Sequence, residues 1–406
     1  MPRSAARLGS TIRQAVRVGR SDGAAVVLNR VVRKATAKLV PQVSELPLFW
    51  DDIVTVDDPS PGIPWRDVAP TSPLLVDWVA TPPAAASGGH TTMFRIIEEL
   101  ESRGHQCRLF LYDRYRGDLA AHEAVVRRWW PSVRATVHEI PDQLPPADAV
   151  FATAWETAHV VAKRSRAGRR FYLVQDFEPD FHPQSSERVL AEATYRFGFH
   201  GVTAGRWLAD RLNRDYGMPC DLFPFGCDTD VYRLDNTGAR NGVVFYAKPL
   251  VGRRGFSLGI LALEELARRH PETDIHLFGD AAPKLPFRHI SHGRLTPAQL
   301  NDLYNRCQAG LSLSLTNVSL IPWELLASGA VPVVNDAEHN RVVLDNPCVE
   351  WAGPSPAALA DGLCRVIEDP QAVDRAADAS RSVQGDRWDL AGELTESALR
   401  RVLVTG

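Results

Sequence analysis

Short apolar segments alternate with amphipathic segments from residue 74 onward, and this alternation constrains the fold more than any other feature. LLVDWVA, QCRLFLYD, ADAVFATA and RRFYLVQD are strand-like, and TTMFRIIEELESRGH and RWLADRLNRDYG are helix-like. A second series begins at GVVFYA and continues through DIHLFGD, AGLSLSL and VPVV. Such alternation is typical of doubly wound α/β domains built on parallel sheets. Two series predict two Rossmann-like domains that face a cleft.

The predicted organisation has four parts. Residues 1–45 form a basic amphipathic helical extension, and residues 46–226 form the N-terminal Rossmann-like domain. Residues 227–385 form the C-terminal Rossmann-like domain, and residues 386–406 form a last helix. Within this scheme residues 41–73 are rich in prolines and acids, which predicts an irregular linker or a segment that wraps around a domain.

Charge is distributed unevenly along the chain. Residues 1–40 carry nine Lys or Arg and one acid, Asp22, so their net charge of +8 leaves about −11 of the total −3 for the rest. An acidic body argues against a nucleic-acid-binding protein. The basic helix either packs on its own protein or lies on an anionic membrane, where each base contributes about 1 kcal/mol. An organelle transit peptide is the least favoured alternative.

Other global features favour an intracellular protein. No apolar run approaches the roughly 18 residues of a spanning helix, and a secretory signal pattern is missing. Six scattered cysteines without a CxxC pair indicate reduced thiols. The expected location is the cytoplasm, with peripheral contact at the inner face of the cell membrane as an option.

A cluster of bases follows the first strand of the second series, in FYAKPLVGRRGF. The strand ends at Ala247 and Lys248 follows it, and Arg253 and Arg254 open a helix. Helix N-termini attract phosphate, and additional cations there make a diphosphate clamp that also stabilises a leaving diphosphate. We therefore predict that Lys248 and Arg254 hold a diphosphate and that Arg253 assists. The alternative of ordinary surface bases is disfavoured, since bases are unfavourable at that end of a helix.

One acid stands at a comparable position in LSLTNVSLIPWELLASGAVPVV. Glu324 begins a short helix beyond an apolar strand, about seventy residues after the basic cluster. A carboxylate there can accept hydrogen bonds from both hydroxyls of a ribose, as an acid elsewhere in Rossmann folds does. Asn317 and Ser319 would add polar contacts to a donor. The alternative for Glu324 is a helix-capping acid.

Polar groups also follow strands of the first series, where a second substrate would bind. They lie in SGGHTT, ATAWETA and VQDFEPDFHP, and the candidates are Gly88, Gly89, His90, Glu156, Gln175 and Asp176. Paired glycines permit close approach of backbone to a ligand. Each candidate also has a purely structural explanation. The glycines can form a tight turn and His90 can cap the helix. The acids, including Glu178, can belong to turns, and Trp155 can belong to the core.

The sequence predicts no metal and no cofactor. Asp228 and Asp230 form a DxD motif, but they lie where the bridge between the two series is expected, and the basic cluster already neutralises phosphate. His289 and His292 lack a third ligand with metal spacing. Walker, nucleophile-elbow and HExxH motifs are missing, and neither series has GxGxxG, which weakens a dinucleotide oxidoreductase.

These segments together resemble the retaining GT-B glycosyltransferases of family four. PWELLASGAVPVV is similar to their P-x-E-A-M-A-x-G-x-P-V-V segment, AKPLVGRRGF to G-R-L-x-x-x-K-G, and FGCDTDVYRL to their domain bridge. YLVQDFEPDF, ATAWETA, FYAKP and SLTNVSLIPWE resemble, more specifically, bacterial rhamnosyltransferases of the WsaF type. The resemblance covers about residues 74–370.

The resemblance implies roles for both domains. The N-terminal domain would take the acceptor and the C-terminal domain the nucleotide sugar, with Gly293 and Arg294 contacting the base. It also implies that the last helix returns to the first domain. The donor would be dTDP-rhamnose, and the acceptor a polysaccharide or lipid-linked glycan.

The chain departs from the family pattern at two places. Thr316 stands where the family has a first, sugar-facing acid, and Lys248 and Arg254 exchange the usual Arg and Lys, whose geometries differ. A nucleotide-sugar-binding scaffold without catalysis, held at the membrane surface, is therefore the alternative to an active transferase. If the reaction retains stereochemistry, a phosphate oxygen can guide the acceptor; if it inverts, a base is required, and Asp176 is the first candidate.

Overall fold

The computed structural model describes residues 46–54, 69, 71–84, 87–383 and 388–404. The predicted basic helix of residues 1–45 lies outside these described residues. None of the helices within the described ranges is long and apolar enough to cross a bilayer.

The first domain is built on a seven-stranded sheet in the order β3-β2-β1-β4-β5-β6-β7, and all of its strand pairs are parallel. The strands are β1 (Leu75–Ala80), β2 (Gln106–Leu111), β3 (Thr136–Glu139), β4 (Ala149–Ala152), β5 (Arg169–Val174), β6 (His200–Ala204) and β7 (Cys220–Phe223). The central strands are buried on both faces, which explains their continuous apolar runs. The helices of this domain are α1 (Gly88–Ser102), α2 (Leu119–Trp129), α3 (Trp155–Arg164), α4 (Ser186–Ala193) and α5 (Arg206–Tyr216).

The second domain has a six-stranded parallel sheet in the order β10-β9-β8-β11-β12-β13. Its strands are β8 (Val243–Ala247), β9 (Ile275–Gly279), β10 (Ile290–Gly293), β11 (Ala309–Ser312), β12 (Val331–Asn335) and β13 (Glu350–Ala352). Its helices are α6 (Phe256–Arg269), α7 (Pro297–Tyr304), α8 (Ile321–Ala327), α9 (Glu338–Arg341), α10 (Pro356–Ile367) and α11 (Ala372–Arg381). The two Rossmann-like domains predicted from the alternation are thus confirmed.

Strand order reverses at one point in each sheet, between β1 and β4 in the first and between β8 and β11 in the second. At such a switch point the connections leave in opposite directions and open a crevice beyond the carboxyl ends of the strands. The predicted basic cluster follows β8, and the segment that carries Glu324 follows β11. The topology therefore places both at the switch point of the second sheet.

Both ends of the described chain pack on the first domain. Leu48 and Val54 are buried in its core, and Asp52 forms a two-pronged ion pair with Arg164. The final helix, α12 (Trp388–Val404), packs on α1 so closely that a Cβ at Gly392 would lie 2.2 Å from the Cβ of Glu99. The segment at residues 46–54 therefore wraps around the domain rather than linking two domains.

The sequence reasoning missed several edge elements. No strand was predicted at Cys220–Phe223, but this segment forms the edge strand β7 of the first sheet. β3, β10 and β13 were not predicted either. These strands have only three or four residues and are partly exposed, so they lack the apolar run that identified the central strands.

A glycine in α6 sets how closely that helix approaches its sheet. A Cβ at Gly259 would lie 2.4 Å from Cζ of the buried Phe245 ring. We expect Gly259→Ala to lower the free energy of unfolding by about 1–3 kcal/mol through overpacking, although alanine favours helix. Denaturant titration measures this change. Gly353→Ala is the control, because the nearest atom there would be 3.6 Å away; equal midpoints for the two variants would contradict the expectation.

Candidate active site

The predicted basic cluster surrounds the carboxyl end of β8. Lys248 follows the strand directly, and its Nζ lies 3.3 Å from Oδ1 of Asp280, which itself follows β9. Nη2 of Arg294, beyond β10, lies 3.5 Å from the same oxygen. Gly293 has φ of +66° and open space where a Cβ would project. Asp280 thus brings together Lys248 and Arg294, which the sequence assigned to the diphosphate and to the base.

Arg254 connects the basic cluster to the loop that follows β11. It ends a single 3-10 turn, Gly252–Arg254, one residue before α6 begins. Its Nη1 donates a 2.8 Å hydrogen bond to Oγ of Ser314, a neutral partner. Burial, together with the adjacent Arg253, lowers the pKa of Arg254 to about 10. A half-buried guanidinium on a neutral partner is a site that an anionic ligand would stabilise.

Asp176 reaches from the first domain to this same loop. Its carboxylate, 8% exposed, accepts a 2.9 Å hydrogen bond from Thr316 Oγ1 and lies 3.5 Å from Nε of Arg253. Burial raises the pKa of Asp176, and Arg253 and Arg254 oppose that rise. The Arg253 guanidinium also stacks 4.1 Å from the ring centroid of Phe181. A carboxylate of one domain therefore faces two arginines of the other.

Glu324 lies at the first turn of α8, as predicted. Tyr304 donates a 3.2 Å hydrogen bond to its Oε2, and Tyr232 is a second hydrogen-bonding partner. Burial raises the pKa of Glu324 to about 7, and these phenols oppose the rise. The carboxylate is half-buried and oriented by other side chains. It is not the N-terminal cap, since Leu320 occupies that position and Glu324 is the fourth residue of the helix.

The loop between β11 and α8 is held by the first domain. Asn317 is 1% exposed, and its Nδ2 donates to the carbonyl oxygens of Gln175 and Ala204 at 2.9 and 3.3 Å. Among the described residues, Asn317 Oδ1 and Ser319 Oγ are buried without a hydrogen-bond partner. Asn317 thus bridges the domains through its amide nitrogen, while two nearby oxygens remain unsatisfied.

The predicted acceptor-side residues of the first domain meet at the start of α1. Ser87 caps the helix, Gly88 opens it, and Gln175 Nε2 donates a 2.9 Å hydrogen bond to the carbonyl oxygen of Gly89. His90 contacts Ser87 Oγ at 2.9 Å and the Thr81 carbonyl oxygen at 3.3 Å, and burial lowers its pKa. The histidine thus stabilises the turn, as in the alternative interpretation given above.

Two glutamates of the first domain, Glu178 and Glu156, lie close enough for their charges to interact. Glu178, 5% exposed, accepts hydrogen bonds from the Trp155 backbone N–H at 2.7 Å and the Tyr172 hydroxyl at 3.0 Å. Burial raises the pKa of half-buried Glu156 to about 7. The pKa of Glu178 is raised to about 8, mainly by burial and also by the negative charge of Glu156. Trp155 is 2% exposed and belongs to the core. Glu156 is therefore a half-buried acid at the first turn of α3 with a pKa raised to about 7.

The rejected metal motifs have other partners. Asp228 pairs with Arg95 of α1 at 2.7 Å, so it connects the domains. His292 Nε2 lies 3.0 Å from Nδ1 of His276, and His289 contacts the carbonyl oxygen of Phe287. These contacts provide no third ligand.

Sequence reasoning missed Asp280 and Ser314 and treated Thr316 only as a departure. A detectable signal existed for the first two, because each is a polar residue just beyond an apolar strand. The link between Thr316 and Asp176 spans 140 positions and carries no sequence signal.

Solved structures show the fold class. A sucrose-phosphate synthase from Thermosynechococcus elongatus superposes with a TM-score of 0.63 at 13% identity, covering 82% of this chain and 100% of that chain. Anabaena Alr3699/HepE in complex with UDP and glucose superposes with a TM-score of 0.62 at 16% identity, covering 81% and 100%. Two facing Rossmann-like domains with these neighbours define the GT-B fold of glycosyltransferases.

Sequence comparison confirms the resemblance. The model of the WsaF N-terminal domain matches residues 133–204, and the model of the WsaF C-terminal domain matches residues 241–364. Over these two segments the chain is similar to the WsaF type of GT-B glycosyltransferases. The O-antigen biosynthesis protein RfbC of Myxococcus xanthus is 30% identical over 328 residues, which cover 74% of this chain and 25% of that protein. The chain thus spans about a quarter of the length of this curated relative.

Proposed function

We propose that this chain transfers a sugar from a nucleotide sugar to a glycan acceptor in polysaccharide biosynthesis. One observation supports this most: Arg254 is hydrogen-bonded to Ser314, so the basic cluster after β8 and the loop leading to Glu324 form one site. A nucleotide diphosphate needs cations for its phosphates and an acceptor for its sugar hydroxyls, side by side. The similarity to WsaF, and to the O-antigen biosynthesis protein RfbC, favours the same reaction.

In this reaction the bond between the anomeric carbon and the phosphate oxygen breaks, and its electron pair leaves with the diphosphate. Lys248 and Arg254 stabilise that negative charge, with Arg253 assisting. The anomeric carbon becomes positively charged, as in glycoside hydrolysis. The acceptor hydroxyl then bonds to this carbon, and its proton passes to an oxygen of the departing diphosphate. Gly88, Gly89, Gln175 and Glu156 would line its approach.

Asp176 supplies the negative charge that Thr316 lacks. Its carboxylate is hydrogen-bonded to Thr316 at 2.9 Å and lies next to both arginines, where the sugar would lie. We therefore assign Asp176 to stabilisation of the positive anomeric carbon. Because its oxygens already accept hydrogen bonds from Thr316 and the Phe177 N–H, it is poorly placed to act as a base. This arrangement favours an active transferase over a scaffold.

The finer proposal is transfer of L-rhamnose from dTDP-rhamnose, supported by the resemblance to WsaF-type rhamnosyltransferases. The test incubates the full chain with dTDP-rhamnose, UDP-glucose and a GDP-sugar, with and without a rhamnan acceptor, and measures released nucleotide. We expect turnover with dTDP-rhamnose. Turnover with another donor would retain the transferase and overturn the sugar, whereas binding without turnover of any donor would favour the scaffold.

Glu324 makes nucleotide affinity dependent on pH. Since burial raises its pKa to about 7, the carboxylate is ionised above that pH and protonated below it. Only the ionised form accepts hydrogen bonds from sugar hydroxyls with full strength, so affinity should fall as the pH drops below about 7, by up to about tenfold per unit. Calorimetry with UDP between pH 5.5 and pH 8.5 would measure this (about one and a half units below and above the pKa).

The Glu324→Gln variant provides the control. At pH 8 we expect UDP affinity to fall by about 10–150-fold, from one charge-assisted hydrogen bond of about 1.5–3 kcal/mol, and the pH dependence to disappear. The loss should be smaller for dTDP, because deoxyribose offers a single hydroxyl to this carboxylate. Equal affinity of the variant and the wild-type protein for UDP would contradict the ribose role.

A further inference from the structure

A cluster of potential metal ligands lies on the second domain, outside the cleft. It consists of His270, directly after α6, Cys364 in α10 and Glu368, directly after α10. One nitrogen, one sulfur and one oxygen of these side chains all lie within 4.8 Å of one another. We propose that this cluster binds one thiophilic divalent cation such as Zn²⁺, with Cys364 Sγ, His270 Nε2 and a Glu368 oxygen as ligands.

The surroundings of the imidazole support this assignment. Nε2 of His270 lies 2.9 Å from Oε1 of Glu368, and Nδ1 lies 3.5 Å from Oε1 of Glu272. Metal-ligating histidines typically donate the other ring N–H to a carboxylate, which fixes the tautomer and orients the ring. Glu272 is placed for that role, so with a cation bound Nδ1 would carry the proton and the Nε2 lone pair would serve as the ligand. Glu272 is thus a positioning residue.

The donor set selects the class of cation. Thiolate, imidazole and carboxylate together suit Zn²⁺, at about 2.3 Å from sulfur and about 2.0–2.2 Å from nitrogen and oxygen. Tetrahedral ligands at these distances stand about 3.4–3.7 Å apart. A spread of 4.8 Å therefore requires a movement of roughly an ångström. Glu368 is exposed and can provide that movement, and solvent can supply a fourth ligand.

The position of the cluster suggests what the cation does. The N-terminus of α6 follows Arg253 and Arg254, whereas its C-terminus carries His270. A 14-residue helix is about 21 Å long, so the cation lies far from the cleft and takes no part in transfer. It would join the end of α6 to α10. We infer a structural site that stabilises the second domain.

The test uses Co²⁺ as a spectroscopic substitute for Zn²⁺, added to the full chain under reducing conditions. We expect a thiolate-to-cobalt charge-transfer band that saturates at one equivalent and disappears when Zn²⁺ is added. The band should be lost in Cys364→Ala and retained in Cys348→Ala, which removes a half-buried thiol outside the cluster. Glu272→Gln should retain the band and weaken Co²⁺ binding by about 10–100-fold.

The outcomes separate this site from the proposed transfer reaction. A missing band, or a band that survives in Cys364→Ala, would overturn the metal site. Far-ultraviolet circular dichroism must show that Cys364→Ala is folded; if it is not, His270→Gln, whose side chain is half-buried, replaces it in the same titration. Zn²⁺ should raise the melting temperature of the wild-type protein but not of the ligand variants, regardless of whether any nucleotide sugar is turned over.

Discussion

Arg254→Ala should lower kcat/KM for the nucleotide-sugar donor by about 10–150-fold, the equivalent of one charge-assisted hydrogen bond. The physical reason is the state of this guanidinium before a donor binds. The guanidinium is half-buried, lies beside Arg253 and donates a hydrogen bond to the neutral Ser314 hydroxyl. Burial and the charge of Arg253 lower its pKa to about 10. A diphosphate would provide the missing negative charge. Steady-state kinetics with released nucleotide as the readout would measure the effect.

The matched control is Arg268→Ala, on the exposed side of α6. Arg268 is ion-paired with Glu265 at the surface, so its loss should leave kcat/KM within about twofold. Arg254→Lys retains the charge but loses the fork geometry, and should fall between the wild-type enzyme and Arg254→Ala. If Arg254→Ala is folded and has wild-type kinetics, the predicted diphosphate clamp is wrong.

Exchanging Asp176 and Thr316 should restore activity that either single change removes. Asp176→Thr deletes the carboxylate opposite Arg253 and Arg254, and we expect kcat to fall by about 10²–10³-fold, as when one electrostatic contact to a transition state is lost. Adding Thr316→Asp restores a carboxylate at the same place, because Asp176 and Thr316 are joined by a 2.9 Å hydrogen bond and the double variant exchanges its donor and acceptor. The double variant should regain at least about tenfold over Asp176→Thr, a coupling within the usual range for residues in contact.

The single variant Thr316→Asp completes the cycle. It would place two carboxylates against each other across the domain boundary, so we expect weaker donor turnover and lower stability than in the double variant. Single-turnover kinetics and melting temperatures of all four proteins measure both effects. Failure of the double variant to recover, with an intact fold, would indicate that the carboxylate must act from the first domain, as the base first considered for Asp176.

The central fold and one half of the candidate site could be predicted from the sequence because both are local. Buried parallel strands must be short continuous apolar runs, so β1, β5, β8 and β12 were recognisable without neighbours. Lys248 and Arg254 lie in the few residues after β8, and Glu324 in those after β11. Parallel strands end at the same edge of a sheet, which is why residues that follow them could be grouped.

The edge strands could not be predicted in this way. β3 and β10 are exposed on the outer side of their sheets, so their residues need not be apolar. β7 was not predicted because its burial is only partial. Their assignment depends on backbone pairing with a neighbour that is distant in sequence.

The sequence by itself determined that there are two parallel-sheet domains and which residues follow their strands, since periodicity and strand ends are properties of short segments. Tertiary structure alone decided that Asp176 faces Arg253 and Thr316, that Asp280 joins Lys248 to Arg294, and that Arg254 is buried enough for its pKa to fall. Such contacts depend on which strand ends are neighbours within a sheet and on how the two sheets pack against each other. Burial and the Coulomb interactions between charged side chains are determined by distances in space. The order of residues along one strand and helix does not specify those distances.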